Sequence, residues 1–282
     1  MKTVSGKRAS ASDGMMRARR HAGSATAGAV KTGAAKVALV TGAGSGIGRA
    51  VSLGLAGAGF DLVLVGRRAA PLRRAAEQIA RLGRQALVVP ADITDADSVH
   101  ALFDRVVVDY GRLDLLFNNA GSNARLVALD ELTYEEWQSV IDVNLNGAFL
   151  CTQQAFRLMK RQRPRGGRII NNGSVSALVP RPHCAAYTTS KHAMTGLTRA
   201  AALEGRRYDI ACGQIDIGNV DTVIGAHITR NALQADGSTA AEPSMPMRNV
   251  VEAVCYMAGL PLAANVLSLT VMATRMPLVG RG

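Results

Sequence analysis

Tyr187 and Lys191 stand four residues apart in the stretch CAAYTTSKHAM, residues 184–194. On a helix, positions i and i+4 share a face, so a phenol and an ammonium can converge on one point. Tyrosine is a poor proton-transfer group near neutrality because its unperturbed pKa is about 10. A nearby ammonium favours the phenolate and pulls that value down. So tuned, Tyr187 would be a competent general acid or base. The pair alone fits two solvated neighbours on an exposed helix equally well, and the rest of the chain must decide.

A second cluster lies in VTGAGSGIGRA, where Gly42, Gly46 and Gly48 follow a short β-branched run and precede an Ala/Leu-rich stretch. Without a Cβ the backbone can turn sharply and approach a pyrophosphate, which then rests on N–H groups at the positive end of the following helix. The spacing G-x-x-x-G-x-G differs from the G-x-G-x-x-G dinucleotide fingerprint. A tight strand–helix turn would use the same glycines. In this strand–turn–helix context, Gly42, Ser45, Gly46, Ile47 and Gly48 read as a nucleotide-binding turn.

The elements that must position both clusters alternate. Strands are expected at 36–41, 61–65, 85–90, 113–117, 167–172, 209–215 and 266–272, with helices at 69–82, 95–110, 134–160, 184–205 and 247–258, besides the one running to Ala58. Strand segments apolar on both faces indicate a parallel sheet covered by helices on each side. The expected fold is therefore α/β, a doubly wound seven-stranded parallel sheet of Rossmann type in a single domain, 36–282. Residues 219–246 break the rhythm with Gly, Asp, Ser and Pro and read as a substrate lid.

Together TGAGSGIG (41–48), NNAG (118–121), Asn144, Ser174 and YTTSK (187–191) resemble the short-chain dehydrogenase/reductase family. The resemblance runs from about Lys36 to Met272. It implies an oxidoreductase that interconverts a secondary alcohol and a ketone by hydride transfer with a nicotinamide dinucleotide. It implies that Tyr187 is the general acid/base, and that Lys191 tunes it and holds the nicotinamide ribose. Ser174 would polarise the substrate oxygen, and Asn144 would hold a water linking Lys191 to solvent. It further places Asp92 and Ile93 against the adenine, Asn118, Ala120 and Gly121 along the ribose side, and Ile217 and Thr222 at the carboxamide. Asn118 and Asn119 can equally tie neighbouring strands together.

At the end of the second strand, where a carboxylate would accept hydrogen bonds from a ribose 2′-hydroxyl, the chain has Gly66-Arg67-Arg68. Arg67 can offer a planar donor fork to a 2′-phosphate, and the resemblance likewise implies NADP(H) over NAD(H). Ser45 stands where some NADP-dependent members carry a base. Two departures matter. Ile217-Gly218 replaces the family's usual Pro-Gly, and the chain end TVMATRMPLVGRG lacks its usual Asp-Gly-Gly close. The alternative from a different class is an NADPH-binding regulator or scaffold that kept the fold and lost turnover. A carrier-linked acyl reductase would want a basic docking patch, with Arg125, Arg181 and Arg230 as candidates. Val179, His183 and the lid are expected to shape the substrate pocket, although His183 also suits a helix-start surface position.

Of the formal charge of +12, residues 1–36 hold +7, from eight Lys/Arg against Asp13. That segment is rich in Ala, Ser and Gly and cannot bury enough apolar surface to fold alone, so 1–35 is expected to be a disordered basic tail. Its Arg/Ser-rich, acid-poor composition also suits a transit peptide, and Met15 or Met16 could be the true start. No aromatic interleaving marks a base-reading module, so no specific nucleic-acid partner is expected. No apolar run reaches the roughly 18 residues needed to span a bilayer. Cysteines at 151, 184, 212 and 255 match no metal-ligand spacing and suit a reducing cytoplasm. The family's habit of forming homotetramers or dimers suggests an interface on the long helix 134–160.

Overall fold

The computed structural model describes residues 35–222 and 231–279. The basic tail expected over 1–35 therefore lies, but for Ala35, outside the described residues, as do part of the 219–246 excursion and Arg230. In chain order the elements are β1 (Val37–Thr41), α1 (Gly46–Gly57), β2 (Asp61–Gly66), α2 (Ala69–Arg81), β3 (Ala86–Pro90), α3 (Ala96–Tyr110), β4 (Leu115–Asn118), α4 (Tyr134–Ile141) and α5 (Gly147–Arg161). They continue with β5 (Gly167–Asn172), α6 (Ala185–Gly205), β6 (Ile210–Ile217), β7 (Ala232–Leu233), β8 (Thr239–Ala240), α7 (Met247–Gly259) and β9 (Ser268–Val271). Seven strands form one parallel sheet in the order β3-β2-β1-β4-β5-β6-β9. The order reverses at β1, and in such sheets ligands bind beyond the carboxyl ends of the strands at that switch point.

Strand alternation sorts the apolar side chains into two cores. Ala38, Val40, Leu62, Leu64, Leu115, Phe117 and Ile170 face α1 and α7. Val37, Leu39, Val63, Val65, Leu116 and Ile169 face α3 and α5. On the first face α1 and α7 approach closely: a Cβ on Gly54 would sit 2.3 Å from Val251.

Several expected elements differ in extent. The single helix expected over 134–160 is broken by a π-helical stretch, Asp142–Asn146, between α4 and α5. The wider turn carries Asn144 inward, where it is buried; π-bulges of this kind concentrate at functional sites. The strand expected from 113 starts at Leu115, because the amide and carbonyl of Leu113 bond to the side chain of Gln162 instead (2.8 and 3.0 Å). At the other end of the sheet β6 runs on to Ile217, in register with Val271 of β9.

The described part of the unusual chain end packs on the first core. Met276 is buried beside Ala273 in the first core, and the amide of Asn219 lies 3.4 Å from its sulfur. The excursion after β6 holds the antiparallel pair β7 and β8 and is stitched to its own base. Val220 pairs with Met245, and the Ser244 hydroxyl donates to the Asp221 carboxylate. A further tie is a partly buried ion pair, Arg181 to Glu242 at 2.6 Å, with Asn219 bonded to both.

Among the described residues no helix is long and apolar enough to cross a membrane. All four cysteines are free thiols, and burial pushes those of Cys151 and Cys212 up to about 12. Thiolate is the reactive species. We expect an alkylating reagent at about pH 8 to modify Cys151 and Cys212 only after denaturation. Peptide mass spectrometry of native and unfolded protein checks this, and ready labelling of either cysteine in the native state would contradict the packing.

Candidate active site

At the carboxyl ends of β4, β5 and β6 the side chains facing α5 and α6 turn from apolar to polar. Asn118, Asn171, Gln214 and Asp216 are all buried there, and buried polar groups must find partners. Asn118 Nδ2 donates to Asn171 Oδ1 at 2.9 Å and to Thr152 Oγ1 at 3.0 Å. Asn171 Nδ2 donates to Thr198 Oγ1 at 2.9 Å, and Thr198 Oγ1 lies 3.0 Å from Gln214 Oε1. Gln214 Nε2 reaches Thr195 Oγ1 at 3.0 Å and Asp216 Oδ1 at 2.7 Å. These bonds seat α6 on the sheet at a fixed height and rotation.

That seating decides where the tyrosine and lysine go. Both lie on α6, with Lys191 buried. The Lys191 ammonium donates to the carbonyl of Asn172 at 2.7 Å and lies 5.4 Å from the centre of the Tyr187 ring. Asn172 in turn donates through Nδ2 to Asn119 Oδ1 (3.0 Å), and Asn119 Nδ2 donates to the carbonyl of Thr41 (2.8 Å). Thr41 Oγ1 accepts the amides of Asn119 and Ala120, each at 2.9 Å. Thr41 ends β1 and Gly42 follows it. A continuous run of hydrogen bonds thus joins the lysine to the glycine turn, and the two clusters singled out in the sequence lie at the same carboxyl edge of the sheet.

Asn144 and Ser174 join them. The Asn144 side chain accepts from the amide of Ser122 (2.7 Å) and donates to the Ser122 carbonyl (3.0 Å) and Ser190 Oγ (3.1 Å). Ser190 Oγ donates to the carbonyl of Tyr187 at 2.7 Å, so Asn144 anchors the turn that carries the phenol. Ser174 follows β5 and heads a short 3-10 turn, Val175–Ala177. Its Oγ accepts the amide of Ser176 at 3.1 Å, which leaves its own hydrogen to donate. Its amide donates to Asp216 Oδ1 at 3.0 Å. Neither this carboxylate nor the π-turn had a signature in the sequence.

The glycine turn fits a phosphate. Gly42 and Gly46 have φ of +67° and +50°, and space around a Gly46 Cβ is open. Gly48 has no such room: its Cβ would lie 2.4 Å from the Gly42 carbonyl and 2.5 Å from Asn119 Nδ2. Ser45 is the N-cap of α1 but makes no side-chain cap bond, and the first turn holds no acid. The first-turn amides can therefore meet an anion.

The remaining expected cofactor residues lie along the same edge. Arg67 and Arg68 stand exposed after β2. The Asp92 carboxyl is held below the usual carboxylate range by the amide and hydroxyl of Thr94, with the Arg67 guanidinium adding to the effect. Ile93 is buried against Gly147. Gly121 adjoins Asn144, its Cβ position 3.3 Å from Asn144 Oδ1. Ile217 ends β6, buried, and Thr222 follows it at the start of the excursion. The Asn118 Nδ2 ties neighbouring elements through Asn171 and Thr152, while its buried Oδ1 has no partner.

Toward the substrate side, His183 stands exposed just before α6 with a left-handed backbone, φ 59°. Two arginines considered for docking are committed elsewhere. Arg125 pairs with Glu136 at 2.7 Å, and Arg181 is locked to Glu242; Arg230 lies outside the described residues.

Comparison with known proteins agrees with this geometry. The family described as short chain dehydrogenase matches residues 36–232. A 3beta-hydroxysteroid dehydrogenase from Mediterraneibacter gnavus is 37% identical over 215 residues, covering 75% of this chain and 76% of that protein. An alcohol dehydrogenase from Thermococcus sibiricus, solved with 5-hydroxy-NADP, superposes with a TM-score of 0.74 at 27% identity, covering 86% of this chain and 97% of the other. An NAD+-bound xylitol dehydrogenase superposes with a TM-score of 0.78 at 26% identity, covering 84% and 97%. The chain belongs to the short-chain dehydrogenase/reductase family of NAD(P)-dependent oxidoreductases.

Proposed function

We propose that the protein interconverts a secondary alcohol and a ketone with NADP(H), with Tyr187 as the general acid/base. The observation that carries this reading is the placement of Lys191, hydrogen-bonded to Asn172 beside the Tyr187 ring and linked through Asn119 and Thr41 to the phosphate-accepting turn. When bound, the nicotinamide supplies or accepts the hydride. The chain does the rest. Ser174 donates its free hydrogen to the substrate oxygen. Tyr187 passes a proton to that oxygen in reduction and takes it back in oxidation. Lys191 sets a positive charge beside the phenol as negative charge develops on it. A water connecting Lys191 to solvent would be held by the backbone around Asn144, because both polar atoms of its side chain are engaged.

The glycine turn, with Gly42, Ser45, Gly46, Ile47 and Gly48, would hold the pyrophosphate. Arg67, with Arg68, would face the 2′-phosphate, since no carboxylate at that strand end repels one. Asp92, Ile93, Ala120, Gly121, Ile217 and Thr222 would line the adenine, ribose and carboxamide positions. Assembly as a dimer or tetramer through α4 and α5 belongs to the same reading, because Tyr134 and Phe149 stand exposed there. Free thiols suit a cytoplasmic home.

Two measurements test the proposal. Replacing the phenolic hydroxyl in Tyr187→Phe is expected to lower kcat at least about 100-fold on a panel of ketones and alcohols, with cofactor affinity within about threefold of wild type. Equal turnover by the variant would refute the assignment, and tight NADPH binding with no turnover by the wild-type protein on any panel member would favour a regulator or scaffold. For the cofactor, Arg67→Asp is expected to raise the KM for NADPH about 10- to 100-fold, the cost of one lost charge-assisted contact, while the KM for NADH falls. An unchanged ratio of the two constants would remove Arg67 from the cofactor site.

A further inference from the structure

We propose that Asp216 is a positioning residue for Ser174, fixing the chain at that serine and tying it through Gln214 to the helix that carries Tyr187 and Lys191. The inference rests on the role of Ser174 given above. Asp216 is 2% exposed and lies on β6, one strand over from the β5 end that delivers Ser174. Its Oδ1 accepts two N–H groups, the Ser174 amide at 3.0 Å and Gln214 Nε2 at 2.7 Å. Its Oδ2 lies 3.4 Å from the Ser268 hydroxyl of β9.

Three features set this carboxylate apart from a filler of the core. Its recorded partners are all neutral donors, and a buried carboxylate without a cation is a costly choice where a small apolar residue would pack. The chain makes room for it: a Cβ on Gly173 would fall 2.1 Å from Asp216 Oδ1, so glycine there lets the carboxylate reach the amide of the next residue. Its second donor leads straight to the catalytic helix, because Gln214 Nε2 also bonds Thr195 Oγ1 at 3.0 Å, and that hydroxyl contacts the Lys191 carbonyl at 3.4 Å. One oxygen atom therefore sets the distance between the serine that would hold the substrate oxygen and the turn of α6 that holds the lysine. A displacement of about 1 Å in such an arrangement can cost about 100-fold in rate.

The test is a double-mutant cycle in the full chain with D216A, S174A and D216A/S174A, reading kcat, KM and NADPH affinity. D216A is expected to lower kcat at least about tenfold with NADPH affinity within about threefold, and to add less than about threefold once Ser174 is already alanine. D216N keeps an accepting oxygen and should restore most of the D216A loss, and in D216A the Ser174 amide should exchange with deuterium at least about tenfold faster than in wild type. If S174A turns over like wild type, the role of Ser174 fails and this inference with it. If S174A is impaired but D216A multiplies its full loss onto it, or if the Ser174 amide stays equally protected without Asp216, the inference alone is overturned. Should D216A not fold, D216S replaces it in the cycle and in the exchange measurement under the same criteria, its hydroxyl being too short to reach both donors.

Discussion

A parallel sheet covered on both faces buries the side chains of its central strands, including those at the strand ends where its ligands bind. Polar groups placed there for chemistry must first be satisfied by one another. In this chain Asn171, Gln214 and Asp216 meet that demand with Thr195 and Thr198, and the Asn118 Nδ2 meets it with Asn171 and Thr152, its buried Oδ1 alone among these groups being without a partner. The bonds that satisfy the network also fix α6, and with it the phenol and the ammonium. Leaving one such donor or acceptor unpaired would cost about 1–3 kcal/mol, so the network tolerates few alternative settings of the helix.

The same logic explains the glycines. Gly48 is dictated by crowding, since the carbonyl of Gly42 and the amide of Asn119 already fill its Cβ position. Gly46 is dictated by conformation and access, with a left-handed φ and open space before it. One keeps α1 tight against the sheet, and the other leaves its first turn bare for a phosphate.

The layered order of strands and helices was legible because each strand is a short run apolar on both faces, and the helices between them carry a periodic apolar stripe. The cluster of Asn144, Ser174, Tyr187 and Lys191 was legible through spacing and family resemblance. What could not be read was set by three-dimensional partners. The π-turn has no composition of its own and exists because Asn144 is drawn to Ser122 and Ser190. Asn118 could equally meet a ribose or a neighbouring strand in the sequence, and its Nδ2 bonds to Asn171 and Thr152 come from elements 53 and 34 residues away. Arg181 looked like a docking cation because its partner Glu242 is 61 residues away in the chain. Asp216 has no signature in the sequence for the same reason: its donors come from the residue two beyond β5, from its own strand two residues back and from β9.

In the proposed reading, substrate recognition would fall to the segments around this fixed centre. The excursion after β6 is anchored at its base by the Arg181–Glu242 pair and by the pairing of Val220 with Met245, while His183 stands exposed just before α6. In the same reading, a rigid proton-transfer centre with a separately anchored border would let the border set selectivity without disturbing the chemistry. The central claim is that Tyr187 and Lys191 serve a hydride transfer at this edge of the sheet. Its most direct measurement is the fate of deuterium carried on C4 of NADPH during turnover of a ketone panel, followed by product mass spectrometry. The account predicts one deuterium on the carbinol carbon of the alcohol formed, and bound cofactor with no label in any product would contradict it.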